Sequence, residues 1–568
     1  MRQRLIQVEH GPKGSLQMEG ASARRHGGIH LLHLSGGPYD RAFQHGTLLR
    51  RQIPEGPLPL FNRYLEIFLK QSRARTMAPV ILEWLQRRVI PRIEGQFSPR
   101  LRASIAGMAD GSGVPESEVS AAYAMPEAML ALVARYGRIT GKSIALPPIY
   151  GCTTAIAGPT KTVRKQLLHA RNFDFFGMDR WSAHPVVAFH TPEEGLRHVS
   201  VTSAGIVGGG ITAMNEKGVV CTVHQHFPRE LNFDGLSVGE PAEEVVRLAN
   251  SVEEAVAVLD QHQTIGTWTY LISDRNGAVA YEMSAMGRRV VPMTDDLLGY
   301  ANVMMHPDLH TAELEFYTPY VRANHARLVR VQQLLRSREK HDEGGMVEIL
   351  SDRYDEVSGG NVAFGPTIAS VLAAASVVFR PADCRLWVSS GAAPTCYGPY
   401  VGFDLKQQGP SGKPKRFNGP LERDDPALRA IRLYAEGAGA ALTLDDVAQA
   451  SALIEQAVEL QPESPMYRLV AAMLRVKLNH GEAAQAHVKT ALSLTSRPDV
   501  TARLQLTLGW ALDLQGERRE AKAAYAEALA LEARDADLRH WARSGRLRAM
   551  TARRAAHLPI EFVYGGVA

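Results

Sequence analysis

The chain has few cysteines, no long uninterrupted hydrophobic stretch and no large excess of charge of either sign. Its four cysteines, at positions 152, 221, 384 and 396, lack the close spacing of a zinc site and the density of a disulfide framework. Without a run of about 18 apolar residues, no membrane span is predicted. A formal net charge of +5, with no basic run interleaved with aromatics, argues against nucleic-acid binding.

The N-terminus, MRQRLIQVEHGPKG, carries charges without an apolar segment behind them, which argues against a secretory signal. Together with the scarcity of cysteine, this predicts a reducing, cytoplasmic location. An apolar fraction of 45% and a charged fraction of 22% are typical of a soluble globular protein. The length of 568 residues predicts two or three folded units.

The pattern of helix and strand signals changes near Tyr150. Before it, one short strand, IHLLHLSG, is followed by helical apolar spacing over residues 40–51, 79–89 and 98–108. After it come short β-rich runs separated by turn signals, and then a predicted hairpin around Asn276-Gly277. Strands, helices and strands in this order favour α+β layers with largely antiparallel sheets.

The last part of the chain differs in composition from the rest. Residues 406–430 are rich in Gly, Pro and charge and are predicted to be a linker, and residues 556–568 a tail. Residues 431–555 are helix-forming and repeat internally, with aligned alanines Ala457, Ala491 and Ala528 spaced by 34 and 37. The pattern resembles tetratricopeptide repeats, and the alternative is an unrelated bundle of helical hairpins.

A glycine precedes the first cysteine, and the pair Gly151-Cys152 begins the β-rich part of the chain. Because glycine gives the backbone unusual freedom, the Cys152 thiol can fold back onto the carbonyl of Gly151. Attack there converts the amide to a thioester, and water then releases a new N-terminus at Cys152. The new α-amino group, with a pKa of roughly 8 in model peptides, can act as base for its own thiol. The pair therefore predicts a self-cleaving cysteine nucleophile that needs no histidine.

Arg171 and Asp174 lie three residues apart in the run LLHARNFDF, which is predicted to be a strand. With a local twist or bulge in this strand, both side chains could point toward Cys152. The guanidinium would favour a thiolate or hold a polar group of the substrate, and the carboxylate would hold the new ammonium group. The alternative is a surface Arg–Asp pair and an inert, buried cysteine.

Six segments resemble, in the same order, those of the penicillin acyltransferase family (acyl-coenzyme A:6-aminopenicillanic acid acyltransferase-like). They are Cys152 with its downstream RNFD, and HLLHLSGGPYDRAFQHGTLLR, IAGMADGSGVPESEV, AMNEKGVV, YLISDRNGAVAYE and GYANVMMHP. The resemblance covers roughly residues 29–405 and extends more distantly to choloylglycine hydrolases and penicillin V acylases.

The resemblance implies roles for individual residues. Cys152 matches the nucleophile, both for self-cleavage at Gly151 and for turnover. Asp174 matches the carboxylate that orients the amino group, and Arg171 the arginine of the same segment. Asn302 matches an asparagine on the oxyanion side, where an amide N–H stabilises a tetrahedral intermediate by on the order of 3 kcal/mol.

The sequence departs from the family pattern after the AMNEKGVV segment. Where choloylglycine hydrolases have a second asparagine, this chain has His224-Gln225-His226. Gln225 is the candidate for the second donor, and His224 is a further candidate for substrate binding. The two histidines have no evident third ligand, so no metal site is predicted. A further site arginine is either Arg322 or Arg327.

From the resemblance we expect the four-layer αββα sandwich of N-terminal-nucleophile hydrolases, followed by a tetratricopeptide-like all-α domain. Self-cleavage would divide the catalytic part into residues 1–151 and a large-chain core over residues 152–405. The expected reaction is acyl transfer from an amide or thioester, without metal or organic cofactor. The substrate would be a small acylated amine, an acylated amino acid or a peptide.

Two questions stay open at this point. Hydrolysis and acyl transfer share the same acyl-enzyme, so the sequence does not separate an amidohydrolase from an acyltransferase. The chain could also be an uncleaved, non-catalytic binding or scaffold protein that uses its repeats. In either case the repeats could bind a protein partner or form a homo-oligomer.

Overall fold

The computed structural model describes residues 9–11, 14–70, 75–140, 150–175, 177–206, 210–314, 318–356, 358–413, 415, 417, 424–531, 535–562 and 566–567. The strands up to residue 410 are β1 (Glu9–His10), β2 (Leu16–Met18), β3 (Ala21–His26), β4 (Ile29–Gly36), β5 (Tyr150–Ala157), β6 (Leu168–Phe175), β7 (Pro185–Pro192), β8 (His198–Ser203), β9 (Thr212–Asn215), β10 (Val220–His226), β11 (Thr267–Ser273), β12 (Ala278–Ser284), β13 (Gly287–Pro292), β14 (Leu297–Tyr300), β15 (Tyr354–Asp355), β16 (Gly360–Asn361), β17 (Ala373–Arg380), β18 (Arg385–Ser389), β19 (Tyr400–Asp404) and β20 (Gly409–Pro410). The helices of the same part are α1 (Pro38–Leu48), α2 (Leu58–Lys70), α3 (Ala78–Trp84), α4 (Ile90–Gly95), α5 (Pro99–Ser112), α6 (Glu116–Thr140), α7 (Met178–Ala183), α8 (Gly239–Leu248), α9 (Val252–Leu259), α10 (Thr318–Arg336) and α11 (Glu343–Leu350).

Two sheets form the centre of this part of the molecule. Among the described residues, the large sheet has eleven strands in the order β1-β2-β3-β4-β7-β8-β9-β10-β11-β12-β13. Within it, β4 and β7 run parallel, and the other neighbouring strands run antiparallel. The small sheet has seven described strands in the order β14-β5-β6-β17-β18-β19-β20. The antiparallel character expected from the short strands and tight turns is therefore present in both sheets.

Apolar side chains that alternate along the strands pack the two sheets against each other. In β4, Ile29 and Leu31 point toward the small sheet, whereas Leu32 and Leu34 point to the opposite side. The core between the sheets draws on both, with Val187, Phe189, Val199, Val377, Phe379 and Phe403 among its members. Successive side chains of a strand point to opposite faces, so a strand that is buried on both faces needs apolar residues at successive positions.

Helices cover the outer face of each sheet. On the large sheet, α1, α5 and α8 share one apolar cluster, to which Leu34, Met108 and Val245 belong. On the small sheet, α10 and α11 pack on residues of β5, as Ala155 and Val331 illustrate. The order helix, sheet, sheet, helix makes this part of the chain a layered α+β structure, and the predicted fold class is confirmed at that level.

Helices dominate the chain after residue 424. They are α12 (Pro426–Thr443), α13 (Val447–Leu460), α14 (Pro465–Lys477), α15 (Gly481–Ser493), α16 (Pro498–Leu514), α17 (Arg518–Leu531), α18 (Ala536–Leu547) and α19 (Ala552–Ala555), followed by β21 (Ile560–Glu561) and β22 (Gly566–Val567). The repeat alanines Ala457, Ala491 and Ala528 lie on α13, α15 and α17, and all three are 0% exposed. The helix α12 begins within the segment that the sequence predicts to be a linker, and part of that segment lies outside the described residues.

None of the helices in the described part of the chain is both long and apolar enough to span a bilayer.

Candidate active site

Cys152 lies near the start of β5 and is 3% exposed. Its strand is flanked by β6 on one side and β14 on the other, so residues from three strands converge on it. The sulfur accepts a hydrogen bond from Arg171 Nη2 at 3.4 Å. The backbone N–H donates to Asn302 Oδ1 at 2.7 Å. The thiol and the backbone nitrogen of Cys152 are thus held by two different side chains.

Arg171 is buried between the two sheets, with 1% of its surface exposed. Its Nη2 also donates to the Val223 carbonyl at 2.6 Å, and its Nη1 donates to the Ile211 carbonyl at 2.8 Å and to the Thr212 hydroxyl. These neutral acceptors fix the guanidinium in place. Among the described residues no carboxylate lies within ion-pair distance of it, and its Nη2 is shared between the Val223 carbonyl and the Cys152 sulfur.

Asn302 and Arg327 hold the backbone on the other side of Cys152. Asn302 Nδ2 donates to the Gln225 carbonyl at 2.8 Å, and Arg327 Nη2 donates to Asn302 Oδ1 at 3.2 Å. Two donors therefore meet at Oδ1, which fixes the orientation of the amide. Arg327 Nη1 donates to the Cys152 carbonyl at 2.9 Å. Of the two candidate arginines, Arg327 is buried at the site and Arg322 is exposed.

Asp174 is buried beside the Gly151–Cys152 bond, with 1% of its surface exposed. Its Oδ2 lies 3.7 Å from Arg327 Nη1, while its Oδ1 has no hydrogen-bond partner among the described residues. Burial raises the pKa of Asp174 to about 7, although Arg327 and Arg171 act in the opposite direction. Asp174 therefore places a buried, unpartnered carboxyl oxygen beside the Gly151–Cys152 bond.

Gly151 is enclosed by the same two side chains. A Cβ at this position would lie 3.0 Å from Arg327 Nη2 and 3.0 Å from Asp174 Oδ2. Any larger residue would have to displace a buried arginine or a buried carboxylate. The glycine before Cys152 therefore has a steric reason in the site, besides the backbone freedom inferred from the sequence.

The strand β6 does not have the bulge that would turn Arg171 and Asp174 to the same side. Its pairing with β5 is continuous from Tyr150↔Phe175 to Ala157↔Leu168, and the register shift lies in β17, between Ala373 and Ala375. Side chains three apart on a regular strand point to opposite faces. Arg171 accordingly meets the sulfur between the sheets, and Asp174 approaches the peptide bond from the outer face.

A cavity of about 140 Å³ opens beside Cys152. Arg171 and Gln225 also line it, but most of its wall is aromatic or aliphatic and includes Phe61, Phe173, Phe175, Trp181, Val223 and Trp268. Gln225 is 4% exposed, and neither atom of its side-chain amide has a hydrogen-bond partner among the described residues. The cavity thus combines an apolar interior with an unpaired amide beside the thiol.

His224 is not part of the cavity wall. Adjacent residues of a strand point to opposite faces, and His224 lies between the sheets, where its Nε2 shares a hydrogen bond with the Thr154 hydroxyl at 2.8 Å. Burial and the neighbouring Arg171 lower the pKa of His224 well below its usual range. The structure therefore separates the two substrate-binding candidates, with Gln225 at the cavity and His224 in the core.

Asn324 is a site residue that the sequence analysis missed. Its Oδ1 accepts from Arg327 Nη2 at 2.6 Å, and its Nδ2 donates to the Asn302 carbonyl at 3.0 Å. The signal was present, because Asn324 and Arg327 are three apart on one helix and so share a face. The sequence pointed to this helix only through Arg322 and Arg327, and the contact of Asn324 with Asn302 depends on how α10 packs beside β5.

The described residues contain no group of three or more His, Cys, Asp or Glu side chains arranged to hold a metal ion. The other three cysteines are buried, and burial raises the pKa of the Cys221 thiol to about 12. Cys152 is therefore the cysteine that combines a cavity with a charged partner.

One family of known proteins is similar to this chain over part of its length. Residues 162–393 match the model of the family described as acyl-coenzyme A:6-aminopenicillanic acid acyl-transferase. The match confirms the resemblance to this family found in the sequence, and the tetratricopeptide-like region lies outside it. The matched stretch contains Arg171, Asp174, Asn302 and Arg327, and it begins after Cys152.

One similar protein is Protein dcd1B of Dictyostelium discoideum, which is 22% identical to this chain over 242 residues. The aligned stretch is 40% of this chain and 44% of the relative. The chain thus spans less than half the length of the relative that it matches, and the printed name of that protein does not state an activity.

Proposed function

We propose that this protein is a cysteine N-terminal-nucleophile enzyme that cleaves its own chain between Gly151 and Cys152 and then acts on an amide or thioester bond of an acylated substrate. The position of Cys152 carries this proposal. Its sulfur contacts a buried guanidinium beside an apolar cavity, while its nitrogen is hydrogen-bonded to Asn302. The four layers of residues 9–410 support the N-terminal-nucleophile sandwich, and the buried repeat alanines support tetratricopeptide-like helices.

Self-cleavage begins at the sulfur. The Cys152 thiolate attacks the Gly151 carbonyl carbon, the C–N bond breaks, and the acyl group moves to sulfur while the nitrogen takes a proton. Water then hydrolyses the thioester and leaves a carboxylate on Gly151 and a free amino group on Cys152. Arg171 stabilises the thiolate in this step, and Arg327 holds the Cys152 carbonyl in place.

Two side chains, Asn302 and Asp174, would accept hydrogen bonds from the new amino group. Asn302 Oδ1 already accepts from this nitrogen at 2.7 Å. The unpaired Oδ1 of Asp174 would accept from the ammonium form and hold its position. In this proposal Asn302 orients the amine rather than the oxyanion, which is the role that the family resemblance implies, since its Nδ2 is engaged with the Gln225 carbonyl.

Turnover uses the same sulfur. The thiolate attacks the substrate carbonyl, and the oxygen of the tetrahedral intermediate accepts a hydrogen bond from the Gln225 amide, which is otherwise unpaired. The α-amino group carries the proton from the thiol to the leaving amine. Water or a second amine then attacks the acyl-enzyme and releases an acid or a new amide. The apolar wall of the cavity favours an apolar acyl group.

An amide panel tests this proposal. Purified protein is incubated with N-acyl p-nitroanilides that carry apolar acyl groups, with and without an amine acceptor, and the products are separated. We expect anilide hydrolysis by the wild type, no activity in Cys152→Ala, and wild-type activity in the matched control Cys221→Ala, whose thiol is also buried. New amide in the presence of the amine identifies an acyltransferase. Equal rates for Cys152→Ala and the wild type would contradict the proposal.

A further inference from the structure

Part of the cavity wall comes from the short helix α7. Its Trp181 is 7% exposed, and the ring lies 4.7 Å from that of Phe173 and 5.5 Å from that of Phe175, between centroids. All three aromatic side chains line the cavity beside Cys152. The position of Trp181 therefore decides how much room an acyl group finds in this part of the cavity.

The helix α7 depends on its neighbours for its position. It has six residues, too few for a helix to be stable on its own. On its inner side, Ser203 Oγ donates to the Trp181 carbonyl at 2.9 Å. At its start, a Cβ on Gly177 would lie 2.1 Å from Leu60 Cδ2, so the chain passes against α2 as closely as a glycine allows.

The opposite side of α7 is covered by α12, the first of the C-terminal helices. Gly439 lies against Asp179 of α7, where a Cβ would be 3.6 Å from the carboxyl carbon. The Thr443 hydroxyl donates to the Gly439 carbonyl at 2.6 Å, and its nearness to the same Asp179 acts against the burial that raises the pKa of that carboxyl. Residues four apart lie on one face of a helix, so Gly439 and Thr443 together form the surface on which α7 rests.

The helix α12 is itself anchored to the sheet layers. Tyr434 stacks on Phe364, with ring centroids 4.1 Å apart. Leu428 and Ile431 share an apolar cluster with Ala373 at the start of β17. A displacement of α12 relative to α7 would have to break these contacts, so α12 is a fixed support for the helix that carries Trp181.

We propose that the C-terminal helices set the acyl specificity of the cavity, with Gly439 and Thr443 as positioning residues that hold α7 and thereby Trp181. This inference rests on the proposed function, since it concerns the acyl group of the same reaction. The substrates it selects carry an apolar acyl group of limited bulk that fits against the Trp181 ring. The repeats then have a role in substrate choice in addition to any partner they bind.

Variants of α12 test the inference in the full-length protein. Gly439→Leu places a branched side chain against Asp179 and presses α7 toward the cavity, whereas Gly439→Ala fits the space at ordinary contact distance. Glu436→Leu, on the exposed face of the same helix, controls for added apolar surface. For each variant, kcat/KM is measured on acetyl, phenylacetyl and dodecanoyl p-nitroanilides, after fragment analysis and circular dichroism have shown normal processing and folding.

We expect Gly439→Leu to lower the ratio of kcat/KM for the two bulky anilides to that for the acetyl anilide by about tenfold, mainly through KM. Gly439→Ala and Glu436→Leu should keep the wild-type ratio, and Trp181→Ala should raise it. If Gly439→Leu misfolds, Thr443→Val replaces it and should lower the ratio by about threefold.

An unchanged ratio in these α12 variants, together with an altered ratio in Trp181→Ala, would show that α7 is held without the C-terminal helices and overturn the inference. If neither the wild type nor any variant hydrolyses an anilide, the result contradicts the proposed function and therefore also the inference.

Discussion

The two faces of the small sheet place different groups beside Cys152. On the inner face the sulfur meets Arg171 and an apolar cavity that the Gln225 side chain also lines. On the outer face the backbone nitrogen has Asp174 and Arg327 beside it, and burial raises the pKa of the carboxyl to about 7.

This difference separates two tasks that one residue has to perform. In the proposed mechanism the inner face carries the nucleophilic sulfur and receives the substrate, whereas the outer face holds the amino group that cleavage would release. A strand that presents alternate side chains to two faces achieves this separation within three residues, because Arg171 and Asp174 cannot share a face without a bulge.

The largest effect is expected from the inner face. Arg171→Gln removes the positive charge beside the sulfur, and a charge-assisted contact of on the order of 3 kcal/mol corresponds to a loss of about 100-fold in rate. Both self-cleavage and turnover should slow, as followed by fragment analysis over time and by anilide hydrolysis. Arg171→Lys should recover part of the loss, and the exposed Arg322→Gln should behave as the wild type. Rates for Arg171→Gln within about twofold of the wild type would contradict a thiolate partner at this position.

Gln225→Leu should leave the thiol intact but reduce the stabilisation of the transition state. Loss of one oxyanion donor lowers kcat by about 100-fold, with KM little changed. His224→Gln, the adjacent residue on the opposite face of β10, is the matched control and should alter kcat far less. An increase in KM with unchanged kcat would instead assign Gln225 to ground-state binding of the substrate.

Asp174→Asn should move activity and stability in opposite directions. Turnover should fall by about tenfold or more, because the ammonium loses its charged acceptor. In the uncleaved Cys152→Ala background the same change should stabilise the fold at pH 8. A carboxyl whose pKa is raised to about 7 in the folded protein loses stability as pH rises from about 4 to 7, whereas an amide does not titrate.

Urea unfolding at pH 5 and pH 8 measures this effect. The difference between Cys152→Ala and Cys152→Ala/Asp174→Asn should be larger at pH 8, with the asparagine variant more stable. A smaller difference at pH 8 than at pH 5 would mean that Asp174 is held as a stabilising carboxylate in the intact chain, contrary to the comparison of the two faces.

The sequence was informative where a signal is local. Helices near α1, α3 and α5, the hairpin of β11 and β12, and the family resemblance all follow from short-range patterns in the chain. The order of strand and helix signals along the chain also indicated the α+β class.

The geometry of the site depended on pairing that the sequence does not encode locally. The bulge expected in β6 lies instead in its neighbour β17, and this decides the faces of Arg171 and Asp174. The choice of Arg327 over Arg322 depended on which face of α10 packs against β5. The contacts of Asn324 in the site depended on the same packing. Gln225 and His224 were separated by the alternation of β10 once its inner face was known.

An intact-mass spectrum of the purified wild type, beside that of Cys152→Ala, tests self-cleavage between Gly151 and Cys152 most directly. We expect two fragments for the wild type, one ending at Gly151 and one beginning at Cys152, and a single uncleaved chain for the variant. A wild type that stays one chain under conditions where it hydrolyses amides, or a cut at any other bond, would contradict the assignment of Cys152 as an N-terminal nucleophile.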